Sequence, residues 1–374
     1  MFSFRQAFSA LSVLALSLSV AACGGSSGSE SSQPSSGEFT YTINRNGTVS
    51  AFRVDLATGT LKRLKESPFV TSGKDSIAGT IDLSSIFLFV TNQGSGDVSV
   101  FKILSNGALK LVPGAPFFSG SGARSAVVTA DERFLFVANT LADSISAFSV
   151  DINTGALAPL AGSPFSTGAG SAPSSLALDP IRNFLYVADA GTNNVLALGI
   201  AADGSLSRVA GSPFPSGINP SAIGINPIAT FLYTANFGGQ SISAFLIEVA
   251  SGALTSISGS PFQAGSGPSA TAIDPSGLFL YLTNANDQTV SGYNIDAKTG
   301  SLSPVTGSPF GAGLSPSGAV VDNAGKFLWI ANQASDNVSG YRIDHSNGTL
   351  SPLPGSPFSV ETGSSPGGIV RAFF

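Results

Sequence analysis

The chain has 374 residues, of which only 10% are charged, and its formal net charge is −5. Glycine (44), phenylalanine (27) and proline (22) are abundant, a composition typical of many short strands joined by tight turns. This argues against a helical or disordered chain, and the acidic balance argues against a nucleic-acid partner.

The first residues form a targeting segment. Arg5 supplies a positive end, Ala10–Val20 is apolar, and Val20-Ala21-Ala22-Cys23 resembles a bacterial lipobox. In such signals the peptide is cut before the cysteine and the thiol is lipidated, which predicts a signal peptide over residues 1–22. The alternative is an ordinary secretory signal with an incidental cysteine.

Residues 23–37 are rich in glycine and serine and predict a flexible tether between Cys23 and a folded domain over 38–374. Cys23 is the only cysteine, which excludes an internal disulfide or a cysteine metal site. Gly24, rather than an aspartate, follows it, which favours the outer membrane. The expected location is the cell envelope, with the protein facing the periplasm or the surface and the membrane as its partner through lipidated Cys23.

The rest of the chain is a sevenfold repeat of about 48 residues. One marker is a strand-like segment that ends in Asn or Asp at positions 44, 92, 139, 189, 236, 284 and 332. A second is the proline of Ser-Pro-Phe or Ala-Pro-Phe at 68, 116, 164, 213, 261, 309 and 357. Two motifs in phase over seven copies predict units that stack on one another.

Each repeat predicts four antiparallel strands. Within residues 220–262, Ser221–Ile225 is small and β-branched, Phe231–Asn236 is aromatic, and Ser241–Ile247 and Ala253–Ile257 follow after turns. Four strands in each of seven units predict an all-β, seven-bladed β-propeller of four-stranded blades. Small side chains suit the first strand because the blades converge there, and the proline suits the tail of the fourth strand at the outer edge.

The two ends of the domain complement each other. The chain enters at a second-type strand, Phe39–Asn44, and leaves after a first-type strand, Gly368–Phe374. Pairing them completes the first blade and removes two open edges. We therefore predict a ring closed by the C-terminal strand, with Ile369 and Val370 lying against Tyr41.

The consensus segments Phe-Leu-Tyr-Val-Ala-Asn, Ser-Ile-Ser-Ala-Phe, Thr-Gly-Ala-Leu, Gly-Ser-Pro-Phe and Asp-Pro-Ser-Gly together resemble the seven-bladed propeller lactonase family over residues 38–374. That family includes bacterial 6-phosphogluconolactonases and fungal carboxymuconate cyclases. The resemblance implies a working face made of the second-to-third-strand loops and the blade-to-blade loops, and in the cyclases a site built from His, Glu and Arg. The single histidine, His345, falls on the opposite face, and Glu361 is the only glutamate on the working face, so no catalytic residue is transferred.

Ten charged residues are expected on the working face: Arg45, Lys74, Asp75, Asp97, Arg124, Asp143, Asp189, Asp287, Asp336 and Glu361. Arg124 replaces the serine that four other repeats carry where the innermost strand begins (Ser174, Ser221, Ser269 and Ser317). An arginine at the channel mouth clamps a carboxylate or phosphate at two points, and Lys74 in the preceding loop would add to it. The alternative is a solvated charge on a variable loop.

The recurring Asn or Asp that ends each second strand has two interpretations. A ring of such side chains provides oxygen ligands for a cation, or each side chain closes the turn after its strand. Strict repetition favours the turn. Asp189 is the only charged member and, together with Asp143, is a candidate ligand-binding residue. No cofactor is implied and no metal site is expected.

Two functions remain open. The first is a binding or scaffolding module of the envelope, which uses its loop face to hold an envelope protein or a small acidic ligand. The alternative is a hydrolase of lactones or cyclic esters in which Arg124 orients the acidic group of the substrate. Such a hydrolase needs a group that activates water and a group that stabilises the oxyanion. The scarcity of His and Glu on the working face favours the binding module.

Overall fold

The computed structural model describes residues 37–374, which form seven antiparallel sheets arranged in a ring. The prediction of an all-β seven-bladed propeller is confirmed. The predicted signal peptide (1–22), Cys23 and the tether up to residue 36 lie outside the described residues. Between residues 37 and 374 no helix has the length and apolarity needed to cross a bilayer.

Each blade has an inner strand of small and β-branched residues. The inner strands are Ser76–Ile81, Ala123–Val128, Pro173–Leu178, Pro220–Ile225, Pro268–Ile273, Pro316–Val321 and Pro366–Phe373. A Cβ atom on Gly367 would lie 2.9 Å from the carbonyl oxygen of Ile77, so neighbouring inner strands approach too closely there for a side chain. Space at the hub therefore explains the small residues.

The second and third strands form the middle of each blade. The second strands, which are almost entirely buried, are Glu38–Asn44, Phe87–Asn92, Phe134–Asn139, Phe184–Asp189, Phe231–Asn236, Phe279–Asn284 and Phe327–Asn332. The third strands are Thr48–Val54, Asp97–Ile103, Ser144–Val150, Asn194–Ile200, Ser241–Ile247, Thr289–Ile295 and Asn337–Ile343. Their aromatic and aliphatic side chains pack between adjacent blades.

Two short strands share the outer edge of each third strand. The fourth strands are Leu61–Arg63, Leu109–Leu111, Leu157–Pro159, Leu206–Arg208, Leu254–Ser256, Leu302–Pro304 and Leu350–Pro352. The fifth strands are Phe69–Val70, Phe117–Phe118, Phe165–Ser166, Phe214–Pro215, Phe262–Gln263, Phe310–Gly311 and Phe358–Ser359. In the first blade Phe52 pairs with Arg63 of the fourth strand, and Thr48 pairs with Val70 of the fifth.

This fifth strand refines the prediction of four-stranded blades. The fourth strand covers only three of the seven residues of the third, so part of the third strand's edge stays open. The serine before the proline fills the gap, because the Ala51 amide donates to Ser67 Oγ (3.0 Å) and the Ala244 amide to Ser260 Oγ (2.9 Å). The Ser-Pro-Phe tail thus supplies hydrogen-bond partners to the part of the third strand that the fourth strand leaves open.

The C-terminal strand closes the ring as predicted. Pro366–Phe373 pairs antiparallel with Glu38–Asn44, and Tyr41 lies opposite Val370 while Thr42 lies opposite Ile369. The first blade is therefore assembled from both ends of the described chain, and Glu38–Asn44 is paired along both of its edges.

Successive blades also contact each other at a glycine in each third-to-fourth-strand turn, which packs against the preceding blade. A Cβ atom on Gly300 (φ +71°) would lie 2.6 Å from the ring of Phe231 in the preceding blade. The hydroxyl of Tyr233, two residues on, donates to the Gly300 carbonyl (2.9 Å). Glycine is required here by its backbone conformation and by the close aromatic contact.

Candidate functional site at the channel mouth

The inner strands leave a cavity of about 430 Å³ at the working-face end of the central channel. Its lining includes the charged residues Arg45 and Arg124, the amides Asn286 and Gln333, and Phe237. No Asp, Glu or His is among the lining residues. Cavities of roughly 300–1,000 Å³ typically hold small molecules, so the size suits a metabolite.

Arg124 reaches the mouth because it is the extra residue of a β-bulge. Ala123 pairs with Asn139 and Ser125 pairs with Ala138, which leaves Arg124 out of the ladder. Its side chain is half-buried, and within residues 37–374 its guanidinium has no ion-pair or hydrogen-bond partner. Burial lowers the pKa of Arg124, a change that nearby Arg45 reinforces and Asp75 opposes. The group nevertheless stays charged at neutral pH.

The predicted alignment of Arg124 with four serines is confirmed, and it explains why an arginine is tolerated. Each serine hydroxyl donates to a carbonyl of the next inner strand: Ser174 to Pro220 (2.6 Å), Ser221 to Pro268 (2.7 Å), Ser269 to Pro316 (2.7 Å) and Ser317 to Pro366 (2.8 Å). Beside Arg124 this link is made instead by the Thr140 hydroxyl, which donates to the Pro173 carbonyl (2.7 Å). Arg124 is therefore not needed to join the blades.

Arg45 is the second cation of the mouth, and it is already paired. Its Nε lies 2.7 Å from Oδ1 of Asp75 and its Nη2 lies 2.9 Å from Oδ2. Both side chains are 33% exposed. This two-point contact orients the Arg45 guanidinium and leaves its Nη1 outside the pair. The mouth therefore combines one paired and one unpaired guanidinium.

Two of the other predicted ligand residues lie outside the cavity lining. Lys74 is exposed in its loop, and Arg45 takes the place predicted for it beside Arg124. Asp143 accepts hydrogen bonds from the amides of Gly170 (2.7 Å) and Ala172 (2.8 Å), which shapes a blade-to-blade loop. These hydrogen bonds show that Asp143 caps the loop between the third and fourth blades.

The Asn residues that end the second strands do not ring the entrance, so the cation-ring interpretation is wrong. All six are fully buried: Asn44, Asn92, Asn139, Asn236, Asn284 and Asn332. Each donates through Nδ2 to a serine of the third strand, as Asn236 does to Ser243 (3.0 Å). The same Nδ2 atom also donates across the turn to the first residue of the third strand, as in Asn236 to Ser241 (3.1 Å), so the amide both closes the turn and bridges the two strands.

Asp189 takes this position in the fourth blade. It is 2% exposed and its Oδ1 has no hydrogen-bond partner in the described part of the chain. Burial raises the pKa of Asp189 to about 7, while Arg208 opposes this shift and Asp143 adds to it. The residue does not line the cavity, so any contact of Asp189 with a ligand remains a prediction.

The remaining charges of the working face hold loops together. Glu361 accepts from Ser50 (2.7 Å) and pairs with Arg63 (2.8 Å). Asp97, Asp287 and Asp336 accept hydrogen bonds from Asn92, Ser266 and Gly363 respectively. His345 lies near Gly325 in the turns of the opposite face. Over residues 37–374 no three His, Cys, Asp or Glu side chains are grouped so that they could hold a metal ion.

Sequence reasoning missed Phe237 and gave Arg45 little weight. Both directly follow the closing Asn of a second strand, and both line the cavity. The repeat itself carried this signal, because the residue after that Asn occupies the same position in every blade.

Comparison with known proteins gives a consistent picture. The model of the family described as Lactonase, 7-bladed beta-propeller matches residues 32–308 and, in a second match, 257–364. A 6-phosphogluconolactonase of Formosa agariphila is 34% identical over 131 residues, which is 33% of this chain and 36% of that protein. The alignment thus spans about a third of the curated relative.

Solved structures share the whole fold at low identity. A candidate 6-phosphogluconolactonase from Bacteroides fragilis superposes with a TM-score of 0.79 at 20% identity and covers 92% of this chain and 100% of its own. The periplasmic gluconolactonase of Pseudomonas aeruginosa superposes with a TM-score of 0.75 at 20% identity, covering 90% and 99%. With the family model matching most of the chain, this protein belongs to the seven-bladed β-propeller lactonase family.

Proposed function

We propose that this protein hydrolyses lactones or related cyclic esters that carry an anionic group, and that Arg124 holds this group at the channel mouth. The proposal rests on one observation: the half-buried Arg124 guanidinium, unpaired within residues 37–374, lines a cavity of about 430 Å³. A partly desolvated cation without a partner is arranged for an anion that comes from outside. Family membership supports hydrolysis over the scaffolding role that the sequence alone favoured.

The Arg45–Asp75 pair supplies the chemistry in this proposal. Asp75 does not line the cavity itself but is bonded to Arg45, which does; from there its carboxylate accepts a proton from a water molecule while the water oxygen adds to the acyl carbon. Nη1 of Arg45, which is not used in the pair, stabilises the negative charge that develops on the carbonyl oxygen. The ring C–O bond then breaks, and its oxygen takes up the proton. The product is a hydroxy acid that ionises to the carboxylate.

Turnover of a lactone panel by the purified protein tests the proposal. The panel contains 6-phosphogluconolactone, glucono-1,5-lactone and a γ-lactone that bears a carboxylate, and acid release is followed with a pH indicator. We expect Arg124→Ala to lower kcat/KM for the anionic lactones about 10- to 100-fold, the effect of losing a charge-assisted contact. Arg124→Lys should fall between, because it keeps the charge but loses the two-point geometry.

Arg133→Ala is the matched control. Arg133 lies on the opposite face, where its guanidinium stacks on Phe134, and its side chain is 58% exposed. Its kcat/KM should stay within about twofold of the parent, since surface substitutions away from a site have small effects. No turnover of any lactone by the parent, or parental activity in Arg124→Ala, would contradict the proposal.

The cell envelope is the proposed site of action, with the chain anchored by a lipid on Cys23. The lipobox-like segment Val20–Cys23 supports this location, as does the periplasmic gluconolactonase of the same fold. In a Gram-negative host fed labelled palmitate, the parent should acquire label and Cys23→Ser should not. An unlabelled parent protein would rule out the anchor.

A further inference from the structure

Seven equivalent residues form a rim at the working-face end of the blades, and four of them, Arg45, Phe237, Ala285 and Gln333, line the cavity. Each directly follows a second strand: Arg45, Gln93, Thr140, Ala190, Phe237, Ala285 and Gln333. Each donates its backbone amide to a residue just before an inner strand, as Arg45 does to Ser365 and Phe237 does to Asn219. The backbone therefore fixes these residues in one geometry, and only their side chains differ around the ring.

The rim divides into two continuous arcs of different chemistry. Blades seven, one, two and three carry polar or charged side chains: Gln333, Arg45, Gln93 and Thr140. Blades four, five and six carry apolar ones: Ala190, Phe237 and Ala285. Arg124, on the inner strand of blade three, adds its guanidinium to the polar arc. In a ring of seven blades, blade five lies across the channel from blades one and two.

Phe237 is the prominent member of the apolar arc. It lines the cavity and is 38% exposed, whereas most of the large aromatic side chains of the second strands are fully buried. An aromatic side chain held open over a cavity offers a surface for an apolar or aromatic group. Two other exposed leucines of this face, Leu141 and Leu314, do not line the cavity.

The inner strands below the apolar arc carry both engaged and free hydroxyls: within residues 37–374 those of Ser175 and Thr271, which line the cavity, have no hydrogen-bond partner. The hydroxyls of Ser174, Ser221 and Ser269 already donate to carbonyls of neighbouring strands. The ring of Phe237 offers no hydrogen bond, so a ligand hydroxyl placed against it would be left without a protein partner there, and that weakens binding. The arc suits a group that does not require hydrogen bonds.

We infer that the substrate is amphipathic: a lactone whose anionic group meets Arg124 on the polar arc and whose aromatic or apolar substituent packs on Phe237, two blades further round the channel mouth. This inference rests on the proposed hydrolase function and adds the substrate class. Phe237 is then the residue that separates such lactones from fully hydroxylated sugar lactones.

Two matched γ-lactones test the inference, each bearing a ring carboxylate and differing only in a phenyl or a hydroxymethyl substituent. The parent should prefer the phenyl compound at least about 10-fold in kcat/KM, the value of a well-packed apolar group. Phe237→Ala should remove this preference, because it lowers kcat/KM for the phenyl compound far more than for the hydroxymethyl compound. Arg124→Ala should weaken both compounds, and Leu141→Ala should change neither.

The outcomes separate this inference from the proposed function. Turnover of both lactones without a phenyl preference, or an equal loss on both in Phe237→Ala, overturns the amphipathic substrate and leaves the hydrolase standing. If neither lactone is turned over, calorimetry with the two ring-opened hydroxy acids decides. Tighter binding of the phenyl acid that Phe237→Ala abolishes upholds the inferred ligand class and rejects hydrolysis. Equal or absent binding rejects the ligand class.

Discussion

The carboxylate of Asp189 occupies a position where the other six blades bury an asparagine amide. The partner has changed as well, because the third strand of this blade carries Leu196 where the others carry serine. The fourth blade therefore has neither the amide donor nor the hydroxyl acceptor that join the two strands elsewhere. A buried carboxylate without a donor disfavours its own ionisation.

This arrangement predicts a pH-dependent weakness that Asp189→Asn should remove. The pKa of Asp189 is raised to about 7 in the folded chain, whereas an unfolded Asp titrates near 3.8. The native state thus retains a proton that the unfolded state has released, and stability falls as pH rises from about 4 to about 7. Across that window the variant should gain roughly 2–4 kcal/mol relative to the parent. Urea denaturation at pH 5 and pH 8 measures this gain.

The new amide has an acceptor available. In the seventh blade Asn332 Nδ2 donates to Asn337 Oδ1 (2.8 Å), and Asn194 stands at the corresponding position of the fourth blade. Asp203→Asn, at a fully exposed turn carboxylate, is the control and should show no such gain between these pH values. Glu38 and Asp82, whose pKa values are also raised, are unchanged in both proteins and cancel in the comparison. If the free energy of unfolding changes with pH equally in the parent and in Asp189→Asn, the ionisation of Asp189 does not destabilise the folded chain.

At the scale of elements, the second strand of one blade is fastened to the outer turn of the next. Five blades use a side-chain donor for this: Tyr41 to Gly107, Tyr186 to Gly252, Tyr233 to Gly300, Tyr281 to Gly348 and Trp329 to Gly59. The second and third blades carry Phe89 and Phe136 there and lack the hydroxyl. Contacts between neighbouring blades, and not only the sheets themselves, stabilise the ring.

Tyr233→Phe should lower the free energy of unfolding by about 1–2 kcal/mol, because the buried Gly300 carbonyl loses its donor. Phe136→Tyr is the reciprocal variant. It offers the missing hydroxyl to the buried carbonyl of Gly204 and should raise stability by up to about 1 kcal/mol. Both changes are measured by urea unfolding of the purified domain. Unaltered stability in Tyr233→Phe would mean that water replaces the lost donor.

The strands and turns of each blade were predictable because their residue types are determined by the local backbone conformation and by strand patterning. Aromatic runs, glycine turns and Asx-Pro turns recur in phase, and local chemistry explains each of them. The fifth strand was not predictable from this pattern. It depends on Ser67 and its counterparts accepting a backbone amide from a different strand, and the sequence does not show this contact. The contact between Gly300 and Phe231 was not predictable either, because it joins two different blades.

At the scale of the whole molecule, ring closure brings distant residues to one mouth. Arg45, Asp75, Arg124 and Phe237 come from four different parts of the chain, and all lie at the same end of the channel. Arg124 was identifiable because it breaks a serine pattern. Lys74 lies exposed in the loop before the second blade and does not line the cavity, so its contribution to an anion site beside Arg124 stays a prediction. The rim position that carries Arg45 and Phe237 repeats without a common residue type, so no motif marked it.

The most direct test of the account is a double-mutant cycle at Arg45 and Arg124, read as kcat/KM for a lactone that bears a carboxylate. If both guanidiniums act on one bound substrate, each single variant should lose at least about 10-fold, and the double variant should lose clearly less than the product of the two losses. Parental activity in either single variant, or losses that multiply as independent effects, would contradict joint action of the two guanidiniums on one bound lactone at the channel mouth.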